Sequence, residues 1–295
     1  MRTPGGPRTA VIGVHEVAVL PAASPSPDDV VRDPRALAAI ETAASGAPRV
    51  AVDAVELLIP LTRFPRDVLC TGWNYWDHYQ ESAGKREGQD PAERPRHPTF
   101  FTKGPGSLIG PRDPIAFDPA LSGKWDYEAE LAIVIGKGGR SIPADRALEH
   151  VVGALVANDI SQRDLQRRHG GQWLKGKTSD AGSPIGPWLT TMADVGDLQN
   201  LDISCSLNGR TLQSANTGQM AFSIAEVISE LSWGMTLNPG DVILTGTPSG
   251  IGNAREPQIF LSDGDRLVTR VAGLGELTNT VTATDLTGYW TPGAH

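Results

Sequence analysis

The sequence predicts an α+β fold, rich in short strands and carrying a few short helices. Glycine and proline are both abundant, 33 and 23 of 295 residues, so the chain turns often. Apolar runs of strand length, at 127–136, 151–157 and 242–245, stand out against few segments of helical period. An apolar share of 39% supports a packed core without staples.

Taken in order, residues 9–20 alternate loosely and suit a strand or hairpin, and 21–32 (PAASPSPDDVVR) reads as a loop. An Ala-rich helix is expected over 34–44, and 50–60 returns to strand composition. Residues 1–65 are expected to form a small N-terminal domain, and 66–295 the main one. The run 68–72 looks like a buried strand entering the polar, aromatic loop 73–78. Segment 83–98 is charged, rich in Pro and Gly, and without period, as a surface bulge or an active-site lid would be. One or two helical turns fit 143–150, and the polar stretch 161–169 suits a helix. Ser223 and Glu226 form a capping box for a helix that turns Ile224, Val227, Ile228 and Leu231 inward. Asn238 to Asp241 is a turn, and 259–284 reads as further strands parted by Gly264 and Gly273.

Charge narrows the partners. With 34 acidic against 26 basic side chains the net charge is −8. Nucleic acid is disfavoured, because phosphate binding needs a dense Lys/Arg surface, and so is an anionic membrane. A small anionic substrate remains possible where a cation neutralises the pocket locally. Cys70 and Cys205 belong to no CxxC or Cys/His cluster, which argues against a thiolate zinc site and suits reduced cytosolic thiols. The apolar stretch near the start is broken by Gly13, His15 and Glu16, a poor signal-peptide core, and no run reaches the ~20 apolar residues of a spanning helix. A cytoplasmic location is expected.

The words most informative about chemistry are Glu128-Ala129-Glu130 and Asn158-Asp159. On a strand, residues i and i+2 share a face about 6–7 Å apart. Two ionised carboxylates there repel each other and lose hydration, and a divalent cation relieves both. Asp159 closes a second apolar run, where a charge again needs a partner. Three carboxylates with waters suit a hard, octahedral ion, Mg²⁺ or Mn²⁺, better than zinc. Patterning alone points first to an outward-facing Glu pair and an Asp that caps a helix, since Glu-x-Glu words are common.

Six words in order, GWNYWDHYQES, KWDYEAELAIVIG, VANDISQRDLQ, WLKGKTSDAGSPIGP, LNGRTLQSANT and LNPGDVILTGTPSGIG, span roughly the last 225 residues. The series resembles the fumarylacetoacetate hydrolase family. That resemblance implies a mixed β-sandwich roll, a homodimer, and Glu128, Glu130 and Asp159 as ligands of one Mg²⁺ or Mn²⁺ per subunit. In the family branch whose loop reads NYxxHxxE, the positions matching His78 and Glu81 form a catalytic dyad. Their spacing fits that role: one helical turn sets the carboxylate on one ring nitrogen and leaves the other as a base. Lys177 matches the family's active-site lysine, Arg163 and Gln166 match contacts to the substrate carboxylate or a metal-bound water, and Thr247 matches a carboxylate contact. Lys103, in FFTKGPG, receives no role. The chain departs from the family's KSFDT word at Lys177-Thr178-Ser179-Asp180, and carries bulky Trp73 and Trp76, which bear on pocket volume.

The activity so implied is metal-dependent hydrolysis of a C–C bond in an acylpyruvate-like 2,4-dioxo acid, as in aromatic catabolism, through an enolate. The alternative is an isomerase, tautomerase, decarboxylase or lyase acting on a 2-oxo or 2-hydroxy-enoic acid with the same centre. A reading of another class is a non-catalytic metal-binding homodimer.

Overall fold

The computed structural model describes residues 1–85 and 93–289. Its centre is a seven-stranded sheet in the order 99–103, 68–72, 242–244, 129–135, 151–158, 183–191 and 108–109. A five-stranded sheet, ordered 210–216, 202–207, 266–271, 275–283 and 115–117, lies across it. This is the strand-rich, curled α+β arrangement the turn content predicts.

The strand Ala129–Ile135 explains how the layers stack. Its residues alternate in facing, and both faces are covered. Leu131, Ile133 and Ile135 point into the larger core, with Ile203, Leu267 and Leu277 of the second sheet. Ala132 and Val134 point the other way, into a core shared with Val68, Cys70, Leu155 and Leu244. Glu130 falls on this second face by period, at the end where the apolar lining stops. The antiparallel neighbour Val151–Asn158 pairs Glu130 with Ala157 and Ala129 with Asn158, and Asp159 donates its backbone N–H to the Glu128 carbonyl at 2.8 Å. Register therefore brings the acidic words to one end of one strand pair.

The helix Ile224–Ser232 starts at the expected capping box, with Ser223 and Glu226 bonded reciprocally, and buries Ile224, Val227, Ile228 and Leu231. Residues 10–12, 16–19 and 49–51 form a separate three-stranded sheet. Two local expectations change. Residues 27–32 are a helix, not loop: Ser26 caps it, Asp29 returns the bond, and Pro27 fits the first turn, where no N–H is missed. Over 50–60 only Arg49–Ala51 is strand, followed by a 3-10 turn at Val52–Ala54, because no further strand is there to pair with. The buried Asp28 carboxylate accepts from the Thr62 and Arg63 N–H groups, tying this unit to the chain that leads into the main sheet. Cys70 and Cys205 are separate, buried thiols. No helix among the described residues is long and apolar enough to cross a membrane.

Candidate active site and metal centre

Glu128, Glu130 and Asp159 converge. Each offers an oxygen within 4.8 Å of the others, and all three are buried. Cations surround part of the cluster. Lys177 Nζ donates to Glu128 Oε2 and Asp159 Oδ2, both at 2.7 Å. Arg163 Nη2 donates to Glu128 Oε1 at 2.6 Å. Lys103 Nζ lies 2.8 Å from Asp159 Oδ1. Glu130 takes the Gly246 backbone N–H at 2.6 Å, and no cation among the described residues comes within ion-pair distance of it. Gly246 is required there: its φ is +98°, and a Cβ would stand 2.7 Å from that of Asn74.

The two glutamates therefore titrate apart. Burial works to raise the Glu128 carboxyl, but Lys177 and Arg163 outweigh it and hold it well below the usual carboxylate range. At Glu130 burial is reinforced by the Asp159 and Glu128 charges, which push its carboxyl well above that range. Burial works to lower the Lys177 ammonium, and Asp159 and Glu128 more than offset it, so it stays charged. An all-oxygen trio, one member short of positive charge, fits a hard divalent cation.

The fit has a thermodynamic consequence. A carboxyl raised in the fold binds its proton more tightly than in the unfolded chain, so stability falls as pH climbs from the unfolded value of about 4.3 through the folded one. Glu128 carries the opposite sign, but its change lies below that window. Metal-free protein is thus expected to lose melting temperature as pH rises from about 5 to the upper end of the titration. Glu130→Gln should remove that decline, gain roughly 2 °C or more at the upper pH, and abolish stabilisation by Mg²⁺. Thermal denaturation with and without Mg²⁺ checks all three; a metal-free Glu130→Gln protein less stable than wild type at the upper pH contradicts the assignment.

The dyad forms as its spacing predicts. On the short helix Trp76–Glu81, His78 Nδ1 and Glu81 Oε1 are 2.9 Å apart, and Glu81 Oε2 accepts the Gly250 N–H at 2.8 Å. His78 is buried and close enough that, when protonated, it adds to the forces holding the Glu128 carboxyl down. Glu81 is thus fixed from both sides and orients the ring through Nδ1.

The remaining expected residues divide by position. Arg163 lies at the cluster but is used within the protein: Nε bonds Asp126 at 2.8 Å, Nη1 bonds Gln166 at 3.1 Å and Nη2 bonds Glu128. Gln166 therefore reaches the cluster through Arg163. Thr247 is buried, and its hydroxyl accepts from Gln213, whose side-chain carbonyl takes the Ala129 N–H at 2.9 Å. The segment 83–98 lies partly outside the described residues; at its near end Tyr79 donates to the Glu93 carbonyl.

Two residues that sequence reasoning passed over matter here. Asp126 is buried and accepts from the Tyr127, Gly252 and Asn253 N–H groups as well as Arg163, making it the anchor of that arginine. Lys103 is equally buried and joins Asp159, the Ile160 carbonyl at 3.1 Å and Ser183 Oγ at 2.6 Å. The signal for Lys103 was present: a cation ending the strand-like run Thr99–Lys103 just before a Gly-Pro turn.

A family description, Fumarylacetoacetate (FAA) hydrolase C-terminal, matches residues 67–282. The chain belongs to the fumarylacetoacetate hydrolase family. Mitochondrial oxaloacetate tautomerase FAHD2A of Homo sapiens is 45% identical over 228 residues, 77% of this chain and 69% of that protein. Oxaloacetate tautomerase YisK of Bacillus subtilis (strain 168) is 39% identical over 227 residues, 77% of this chain and 73% of that protein. Among solved structures, a fumarylacetoacetate hydrolase from psychrophilic Exiguobacterium antarcticum superposes with a TM-score of 0.80 at 35% identity, covering 96% of this chain and 98% of that one. The family's fold is the one described above, and the acidic trio stands inside the matched segment.

Proposed function

We propose that the chain is a metal-assisted tautomerase of small 2-oxo acids of the oxaloacetate class, which interconverts their keto and enol forms. The observation that carries this reading is one buried cluster holding three hard oxygen ligands, a lysine with a donor to spare and an oriented histidine. The names of relatives at 45% and 39% identity favour this alternative over the C–C hydrolysis expected from the dyad.

A divalent cation held by Glu128, Glu130 and Asp159 would polarise the substrate's carboxylate and 2-oxo oxygens. His78 Nε2, with its other nitrogen engaged by Glu81, takes the proton from C3. The C3–H electron pair becomes the C2–C3 double bond, and the carbonyl pair moves onto the 2-oxygen, which is then protonated. Lys177 makes two of its three possible hydrogen bonds to described residues, which leaves one N–H for that oxygen. Lys103 also makes two hydrogen bonds, to the Ile160 carbonyl and Ser183 Oγ, and sets its charge 2.8 Å from Asp159 Oδ1 on the protein side of the cluster. No water enters the balance, so proton transfer within the cluster is sufficient.

The test follows enol oxaloacetate by its ultraviolet absorbance, with Mg²⁺ or Mn²⁺, in parallel with acylpyruvate cleavage. Support is an enol-to-keto rate well above that of free metal and lost on chelation. Acylpyruvate cleavage without faster tautomerisation overturns the reading in favour of hydrolysis.

A further inference from the structure

Six aromatic rings form an arc beside the cluster. Lys177 Nζ lies 4.9 Å from the Phe101 ring centroid. Phe101 packs on Trp173 at 5.1 Å, and Trp173 on Trp73 at 5.1 Å. Trp73 then meets Tyr79, the residue after His78, at 6.2 Å, and Tyr79 leads on to Trp76 and Phe222. The arc therefore runs from the lysine that faces the substrate's oxygen to the helix that carries the base. All six rings are half-buried, and the Arg94 guanidinium lies over the Trp76 ring at 4.0 Å from its centroid.

Two features show that this wall is held in place at a cost. Trp73 has φ +54°, a left-handed conformation that a bulky residue adopts only under constraint. The constraint is Asn74, whose side chain bonds the Thr245 carbonyl at 2.8 Å and both polar backbone groups of Phe222. Trp173, for its part, lies directly on Gly72: a Cβ there would stand 2.6 Å from the indole. Glycine at 72 is what lets the ring come so close to the strand end.

We propose that Trp73 and Trp173 are specificity-determining residues, which close the side of the site between Lys177 and His78 and confine the substrate to a short 2-oxo acid. This rests on the reading that the 2-oxo acid head is bound at the acidic trio and Lys177. A head so placed sends its C3–C4 end towards the rings. The Trp73–Trp173 and Trp73–Tyr79 pairs meet at 72° and 82°, edge to face. Interlocked rings of that kind make a stiff barrier and leave no parallel slot for a flat tail to enter. Each added methylene then clashes or forces the wall to move.

The experiment measures binding to Mg²⁺-loaded protein by calorimetry, using oxalate as the head alone and 2-oxo acids of increasing straight-chain length. In Trp173→Ala the longest acids should bind at least about 10-fold tighter relative to oxalate than in wild type. Trp73→Gly, whose backbone suits the left-handed conformation, should shift the same ratio and serves if Trp173→Ala does not fold. An unchanged ratio, or long acids bound more weakly as on a stacking platform, overturns the wall. Failure of wild type to bind oxalate overturns instead the head-group reading beneath it, and the wall with it.

Discussion

Lys103→Met is expected to lower the melting temperature of the metal-free protein by roughly 10 °C. The side chain is 1% exposed and its ammonium meets Asp159, the Ile160 carbonyl and Ser183. Methionine keeps much of the volume and removes all three contacts. Breaking a buried ion pair from one side costs about 3–5 kcal/mol, because the surviving charge stays in the interior without its partner. Asp159 retains Lys177, which places the loss at the lower end of that range. The cycle with Asp159→Asn identifies the cause: the double variant should recover part of the loss, since no orphaned carboxylate remains. Strictly additive losses would show that the two residues stabilise the fold independently. Both measurements are thermal or urea denaturation after chelation.

His78→Ala is expected to reduce turnover by at least ~100-fold while leaving Mg²⁺ affinity unchanged. The ring touches Glu81 and supplies no ligand to the acidic trio, so its removal separates proton transfer from metal binding. Glu81→Gln should act in the same direction and less severely, since it disturbs the orientation of the base and leaves the base itself. Calorimetric Mg²⁺ titration beside steady-state rates checks both halves. Near wild-type turnover in His78→Ala would remove this residue from the mechanism, whereas weakened Mg²⁺ binding would give it a different part in the cluster.

Much of the site was legible because its signals are local. A period of two places Glu128 and Glu130 on one face, and an i,i+3 spacing on a helical turn joins His78 to Glu81, as their 2.9 Å contact bears out. Ser223 with Glu226 marks a helix start through reciprocal bonds only three residues apart. The helix at 27–32 obeys the same rule, with Asp29 in place of glutamate, and was obscured by the prolines around it. Strand composition at 50–60 misled for the opposite reason: β-branched residues favour a strand only where a neighbour exists to pair with.

By itself the sequence determined which residue types could carry the chemistry and on which kind of element each would sit, since backbone period and capping depend on side chains within a few positions. The tertiary structure decided their company. Lys103 reaches Asp159 from 56 positions away, Asp126 holds Arg163 across 37, and Trp173 settles on Gly72 from the loop before the 3-10 turn Leu174–Gly176. Such meetings follow from strand order and register. In a buried cluster of low dielectric, those neighbours set whether a carboxylate is charged, an arginine is free or a pocket is short.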